Sequence, residues 1–517
     1  MKFIEALEKV MNTSTTENGA EGYKTTGKAL VDFNFKLPSY RNKRNTNNLT
    51  LDFAKVWNED KELAIKYLFY MRDVRQGIGE RDTFRTCLKE LAATGELDSR
   101  VFDWIEEYGR LDDLFVFFDT NLESDMVKWV QARLVEDGAK LLSNKPCSLL
   151  AKWMPSINTS SAETKALAKK FIEAFGTTKK DYRKTLAKLR EHIKVLEKTL
   201  CQGDWSTIDY SAVPSNANLK YKDAFLKHDT DRRKAYLESL KNGETKINAS
   251  VTFPHDIVHK YVTKADWYTY NDGIKSYDEA LEQMWKALPD YIQGQSSVMV
   301  VRDGSGSMFS SVGNTNVTAM DVADALSIYF SERSSGAYKN KFITFSEHPT
   351  FVDLSKLSTL HDKLKELHKH DECENTNIEG TFDLILDLAV KNHLKQEDIP
   401  SLLIISDMEF DDCVTSNMVD NRDYLWGSSH KKADKKLFDA ITEKFNKAGY
   451  QLPRVAFWNV NSRTNTIPLT KNKLGVSLVS GFSAAIAKMV LSNELDPYKA
   501  LVKEITSKRY EQVTLKK

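Results

Sequence analysis

A helical array followed by a doubly wound α/β domain is the fold class this sequence predicts. Three observations predict it. Up to about residue 290 apolar residues recur at steps of three and four, and convincing strands are few. Beyond that point short apolar runs rich in β-branched and aromatic residues alternate with longer helical segments, the pattern of a largely parallel, two-sided sheet. Between them lies the polar stretch "ALPDYIQGQSS". The expected domains are therefore residues 1–290 and 291–517.

The helical half reads element by element. "MKFIEALEKVMNTSTTENG" lacks a long apolar core and a small-residue cleavage site, so it is a short amphipathic helix, not a leader peptide. "DKELAIKYLFYMRDV" has helical spacing and stops before "RQGIGE". "RDTFRTCLKELAATGELD" is a second helix, ended by Gly95. "SRVFDWIEEYGRLDDLFVFFDT" splits into two short helices around Tyr108, Gly109 and Arg110. In "TKKDYRKTLAKLREHIKVLEKTL", Leu186, Leu189, Ile193, Leu196 and Leu200 form one stripe, and Lys180, Lys184 and Lys188 form a row on another side. Successive helix pairs suggest an α-solenoid-like array, although no strict period is visible. In the second half, "SSVMVV", "KFITF", "SLLIIS", "RVAFWNV" and "GVSLVS" are the strands. The helices between them cover about 317–334, 355–367, 378–392 and 431–448.

The 517 residues carry a formal net charge of +1, which hides a basic excess across 151–250 and an acidic one across 101–150. That distribution permits a polyanion as partner without requiring one. Five scattered cysteines, Cys87, Cys147, Cys201, Cys373 and Cys413, form no CxxC pair, which speaks against a disulfide scaffold and for a reducing, cytoplasmic setting. No apolar run approaches the ~18 residues of a membrane span.

The chemistry concentrates at strand ends. "VMVVRDGSGSMFS" runs from buried-type residues straight into Asp303, Ser305 and Ser307, and "SLLIIS" ends in Asp407. "ENTNIEGTFDLILDL" places Thr376 in a polar loop just before a helix. In open α/β sheets ligands bind outside the carboxyl ends of the strands, so these five side chains are expected to converge. They are hard oxygen donors, suited to Mg²⁺ or Mn²⁺ and not to zinc. Two carboxylates and three hydroxyls leave positions for waters and for one incoming acidic ligand from a protein partner.

This pattern resembles the metal-ion-dependent adhesion site of von Willebrand factor A domains, D-x-S-x-S followed by a later Thr and a later Asp. Asp303, Ser305 and Ser307 match the first element, Thr376 the second and Asp407 the third. The resemblance implies that the hydroxyls bind metal directly and the aspartates often through water. The sequence departs from the pattern at Glu374 and Asn375, where the loop is often Gly-rich, and at Arg302, where an apolar residue is common. A vestigial site whose hydroxyls merely cap helices is the competing reading.

"YMRDVRQGIGERDTFR", "YGRLDDLF", "SLLAKWMPS", "DYRKTLAKLREHIKVLEKTL" and "YSAVPSNANLKYKDAFLKHD", with "RVAFWNV" and "LVSGFS" later, resemble a branch of proteins related to the TROVE module of the Ro autoantigen joined to a von Willebrand A domain. The resemblance covers roughly residues 20–490. It implies HEAT-like repeats forming a ring closed by the A domain, with small structured RNAs outside and single-stranded RNA ends inside. Nothing in the spacing itself dictates a ring.

The residues' own contribution is basic stretches with aromatics among them. Arg72, Arg75, Arg81 and Arg85 cluster around "GIG", where Gly77 and Gly79 free the backbone for guanidinium–phosphate pairing. A salt-bridged turn competes, because Asp73, Glu80 and Asp82 lie alongside. Tyr182, Arg183, Lys184, Lys188 and Arg190 offer a row that tracks a phosphate backbone with a ring to stack on a base, against the alternative of a solvated helix face. Lys152 beside Trp153 is a stacking platform or simply core, and "RRKAY" at 232–236 is a weaker case. "HDIVH" imitates a zinc pair at His255 and His259 but lacks the following Glu, and "HKHDEC" reads as chance clustering in a polar loop. With no P-loop, nucleophile elbow or evident general base, no enzyme is expected. The expected function is a Ro-like RNA-binding protein with a Mg²⁺-binding A domain. A metal-dependent protein–protein adaptor is the alternative, and a metal-dependent phosphoester hydrolase ranks last.

Overall fold

The computed structural model describes residues 2–41, 46–262, 273–293, 298–371, 375–412, 436–492 and 494–516. Cys373, Glu374, Cys413 and residues 431–435 of the expected fourth helix lie outside these. Among the described residues the chain forms 21 α-helices and eight strands, a mixed α/β protein. None of these helices is long and apolar enough to cross a membrane. The chain divides into two compact units, each discontinuous in sequence. One comprises Met1–Ala64 with Thr252–Glu511, the other Ile65–Val251 with Gln512–Lys517.

That division moves the expected boundary near 290. The first 64 residues belong with the sheet, because their apolar side chains are part of its core. Ala20, Val31 and Phe35 are buried with Val301, Ile343, Ile404, Phe457 and Leu478. Polar contacts fix the register: Asn459 Nδ2 donates to Phe35 O (2.8 Å) and Asn34 Nδ2 to Leu478 O (3.3 Å). The expected amphipathic start is the helix Lys2–Met11. A short antiparallel hairpin follows it, β1 (Thr13–Thr15) and β2 (Glu21–Tyr23), which the sequence reading did not anticipate.

The main sheet contains β3 (Val298–Asp303), β4 (Lys341–Phe345), β5 (Thr350–Asp353), β6 (Ser401–Ser406), β7 (Val455–Asn459) and β8 (Val476–Ser480). Their order is β5-β4-β3-β6-β7-β8, all parallel except β5 at the edge. The five expected strands are the five parallel ones, buried along nearly their whole length, which is why they read as continuous apolar runs. β5 escapes such a reading because only Val352 is buried in it. Strand order reverses between β3 and β6, so the crevice at their carboxyl ends is the switch point of the sheet. Helices Ala319–Arg333, Leu360–His368, Ile378–Lys391 and Leu437–Lys447 answer to the expected four.

Among its described residues the second unit has helices as its only regular elements, joined by loops. The final residues return to it: Lys66 Nζ donates to Val513 O (2.7 Å) and Gln512 Nε2 to Tyr108 OH (3.0 Å). The single stripe expected from Leu186 to Leu200 is two helices, Lys179–His192 and Leu196–Gln202. The break falls at Lys194, which takes φ +50° between the β-branched Ile193 and Val195. Two different cores divide the stripe. Leu186 and Leu189 are buried on the first helix, while Leu196 and Leu200 pack against the separate cluster of Ile208, Tyr210, Val213 and Phe225.

Candidate metal centre

Asp303 is the last residue of β3, and the chain turns at once. Gly304 N donates to Phe345 O (2.7 Å), and a side chain at 304 would crowd Thr344 Oγ1 and Phe345 O at 3.2–3.3 Å, so glycine lets the two strand ends approach closely. Ser305 N then donates to Asp303 Oδ1 (2.9 Å), and the Ser305 and Ser307 hydroxyl oxygens lie 3.2 Å apart. On the neighbouring strand Ser406 Oγ donates to Asp303 Oδ2 (2.5 Å), and Asp407 follows directly. Asp303 and Asp407 are both fully buried.

Two buried carboxylates side by side disfavour ionisation. Burial, with the Asp303 carboxylate alongside, pushes Asp407 up to about 7, while Arg463 and Ser307 oppose the rise. Burial also raises Asp303, against hydrogen bonds from Ser406 and Ser305. Asp407 Oδ2 accepts no hydrogen bond among the described residues, and Arg463 Nη2 stands 3.5 Å from it. Thr376, also buried, joins the same end through its neighbours. Asp411 N donates to Thr376 O (3.1 Å), Asn18 Nδ2 donates to Thr376 Oγ1 (3.2 Å), and the field of Asp303 reaches Asp411.

The residues present fit a hard divalent cation. A buried like-charge pair and an oxygen without a hydrogen bond call for positive charge, and the remaining donors are hydroxyls. Among the described residues no three His, Cys, Asp or Glu side chains form a metal set, so a site here would have two carboxylates and complete itself with hydroxyls and waters.

Four groups around the site were not singled out from the sequence. Ser406 and Glu409 stand in the same run as Asp407, "IISDMEF", but only the carboxylate at the strand end was legible as a ligand. Glu409 is a fully buried acceptor. Its Oε1 takes Arg463 N (2.7 Å), Thr464 N (2.9 Å) and Ser462 Oγ (3.1 Å), and its Oε2 takes Glu17 N (2.8 Å) and Thr464 Oγ1 (3.0 Å). Glu17 and Asn18 come from the hairpin; the dipeptide Asn18–Gly19 is a turn signal, yet nothing local says where the turn docks.

Arg302 departs from the apolar residue common before such an aspartate, and the fold explains how it is accommodated. It is wholly buried, with Nε 2.7 Å from Asp324 Oδ1 and Nη2 2.5 Å from Asp371 Oδ1. His368 Nε2 lies 3.1 Å from Asp324 Oδ2. Burial works against an ionised Asp324, but Arg302 and His368 outweigh it and hold its carboxyl below the usual range. His368, the last residue of its helix, and Asp371, in the loop after it, thus join a buried polar network around Arg302 and Asp324 and are not a chance cluster. The "HDIVH" histidines diverge: His259 Nδ1 meets Asp321 Oδ2 (2.9 Å), while buried His255 stacks on Phe253.

The expected RNA residues separate into two sets. Around "GIG", Arg72 Nε and Arg85 Nε both bind the buried carboxylate of Asp113 (2.7 and 2.6 Å), and Arg85 also reaches Asp112. Arg81 pairs with Asp82, and Arg75 Nη1 donates to Glu107 O. Gly77 serves packing, since a Cβ there would lie 1.9 Å from Tyr70 O. Salt bridges do occupy Arg72 and Arg85, but through Asp112 and Asp113 from outside the turn; of the neighbouring carboxylates expected to compete, Asp82 pairs with Arg81. Tyr182 is buried with its hydroxyl donating to Pro155 O (2.9 Å), which leaves no ring face for a base. Arg190 is spent on Ala151 O, Met154 O and Ser156 Oγ. Lys152 lies 3.9 Å from Glu197, and the Trp153 ring is covered by Arg110 at 4.0 Å. Arg232 caps Trp205 O and Ile208 O. Arg183, Lys184 and Lys188 remain, exposed on one helix and with no ion pair among the described residues.

Comparison with known proteins gives two family models and a viral relative. A domain of unknown function, DUF2828, matches residues 16–94 and 161–298, and another, DUF7788, matches residues 297–516. An uncharacterised protein of Acanthamoeba polyphaga mimivirus is 31% identical over 525 residues, covering 93% of this chain and 85% of its own.

Proposed function

For this chain, which belongs to the same family as the mimivirus protein, we propose a Ro-like RNA-binding role. In this reading the helical unit carries RNA and a von Willebrand A-type unit holds a divalent cation at the switch point of its sheet. The single observation that carries the RNA part is the exposed row of Arg183, Lys184 and Lys188. Three exposed cations on one helix, none of them in an ion pair among the described residues, suit a phosphate backbone. The row is narrower than the sequence suggested, because Tyr182, Arg190, Arg72 and Arg85 are committed to the fold.

The order of the sheet, with one antiparallel edge strand, supports the A-type reading, as does the meeting of Asp303, Ser305, Ser307 and Asp407 at its switch point. Thr376 completes the proposed ligand set. A Mg²⁺ or Mn²⁺ ion there would supply charge to bind an acidic ligand, and these five residues would hold it. That geometry also favours a second reading, a cation-dependent protein adaptor in which the helices are only another contact surface.

Binding of a labelled single-stranded RNA and of a small hairpin RNA to the full chain separates the two. The RNA reading expects affinity that falls steeply with salt and drops on triple charge reversal at 183, 184 and 188, with Asp303→Ala binding nearly as well. Binding no stronger than that of a charge-matched control protein would overturn it and leave the adaptor reading.

A further inference from the structure

The strand-end site is covered on one side by the chain's own N-terminal turn. Thr16 N donates to Ala20 O (2.9 Å) and Ala20 N returns to Thr16 Oγ1 (2.9 Å), closing the turn between β1 and β2. The loop after β6 then grips it residue by residue. Thr16 Oγ1 donates to Phe410 O (2.6 Å), Glu17 N to Glu409 Oε2 (2.8 Å) and Asn18 Nδ2 to Glu409 O (2.7 Å). Gly19 pairs with Asp411 in an antiparallel bridge. So many directional bonds, several to buried partners, fix the turn in one place.

What the docked turn delivers is chemical. Asn18 Nδ2 donates to the hydroxyl oxygen of Thr376, one of the five candidate ligands, at 3.2 Å. With the amide as donor, the hydroxyl proton is turned away and an oxygen lone pair stays free. Glu17 Oε2 lies 2.7 Å from Arg463 Nη2, and the same nitrogen lies 3.5 Å from Asp407 Oδ2. One cationic nitrogen thus serves both carboxylates. The Glu17 side chain keeps half its surface in solvent, 54%, so trading its Arg463 partner for a bound cation would strand no buried charge.

We propose that Glu17 is the acidic ligand of the strand-end cation, supplied in cis by the N-terminal turn, and that Asn18 orients the Thr376 hydroxyl for it. The inference rests on the divalent-cation reading above. It makes the site self-capped: an acidic group on any partner competes with Glu17, whose tethering gives it an effective concentration on the order of millimolar.

The test uses Mn²⁺ alone as probe on the full chain, read by calorimetric titration and by water-proton relaxation of the bound ion. Wild type binds Mn²⁺ and Asp303→Ala does not. Glu17→Gln, at an exposed side chain, binds about 10- to 100-fold more weakly and with higher relaxivity, because a water replaces the lost carboxylate. Acetate then lowers the relaxivity of Glu17→Gln and leaves wild type unchanged. If Glu17→Gln matches wild type in affinity and relaxivity while Asp303→Ala is silent, the in-cis ligand is overturned and the cation site stands. A loss of affinity without a change in relaxivity also overturns it, since Glu17 would then act only through its charge. If wild type takes up no Mn²⁺, or takes it up as Asp303→Ala does, the cation reading fails and the cap falls with it.

Discussion

Replacing Glu409 with alanine should release two separate segments at once. The carboxylate accepts three backbone N–H groups, from Glu17, Arg463 and Thr464, at 2.7–2.9 Å, besides the hydroxyls of Ser462 and Thr464. Hydrogen bonds to a charged group contribute about 1.5–3 kcal/mol each, and water reaches the partly buried donors once the carboxylate is gone, so the low end applies. At that end the hairpin, held through one amide, loses about 1.5 kcal/mol and the loop, held through two, about 3 kcal/mol. At 1.4 kcal/mol per decade, amide exchange should speed up by about one decade around Glu17 and about two around Arg463 and Thr464. The acceleration should be confined to the hairpin around Glu17 and the loop around Arg463 and Thr464. Helix Lys179–His192, in the other unit, is the internal control and should keep its protection. Glu409→Gln keeps the shape but turns an NH₂ group toward donors, and should produce an intermediate effect. Hydrogen exchange followed by mass spectrometry reads all three regions in one experiment. Protection within about threefold of wild type at both segments would refute the reasoning, because the carboxylate would then not be what holds them.

Further expectations concern charge and pH. Asp407, raised to about 7, holds its proton more tightly in the folded, cation-free site than in the unfolded chain, where an aspartate has about 3.9. That contribution is complete below the unfolded value and is lost as pH rises through about 7. Mg²⁺ takes the proton's place, so its upward shift of the thermal midpoint should be larger near pH 8 than near pH 5.5; equal shifts count against an ionising Asp407. Arg302→Met leaves Asp324 and Asp371 buried without their shared cation and should cost about 3–5 kcal/mol in denaturant unfolding; a loss under about 1 kcal/mol would mean the network is neutral. Charge reversal at Arg183, Lys184 and Lys188 should flatten the slope of log affinity against log salt by about two for single-stranded RNA, and an unchanged slope would place RNA elsewhere. Tyr182→Phe should leave RNA affinity unaltered, since only the bond to Pro155 O is lost.

The sequence by itself determined the elements that local pattern controls. The five parallel strands are buried along both faces, so each had to be a continuous apolar run, and those runs were readable without neighbours. Asp303, Ser305 and Ser307 were legible for the same reason: a carboxylate and hydroxyls that interrupt such a run at once stand at a strand end. Asp407 followed from the second interrupted run. Tertiary structure alone decided which charges were available. Arg72, Arg85 and Arg190 look like phosphate binders until Asp113 and the carbonyls of Ala151 and Met154 are found against them, and those partners are 28 to 41 residues distant in the chain. The same holds for Arg302, whose partner Asp324 comes from the following helix. It holds most of all for residues 1–64. Their helices and hairpin form locally, but their place against β8 and the strand-end site depends on Asn34, Phe35, Glu17 and Asn18 meeting groups some 360 to 450 residues away. Local periodicity specifies which face of an element is apolar. It does not say which distant surface will bury that face, because that choice belongs to the packing of the whole unit.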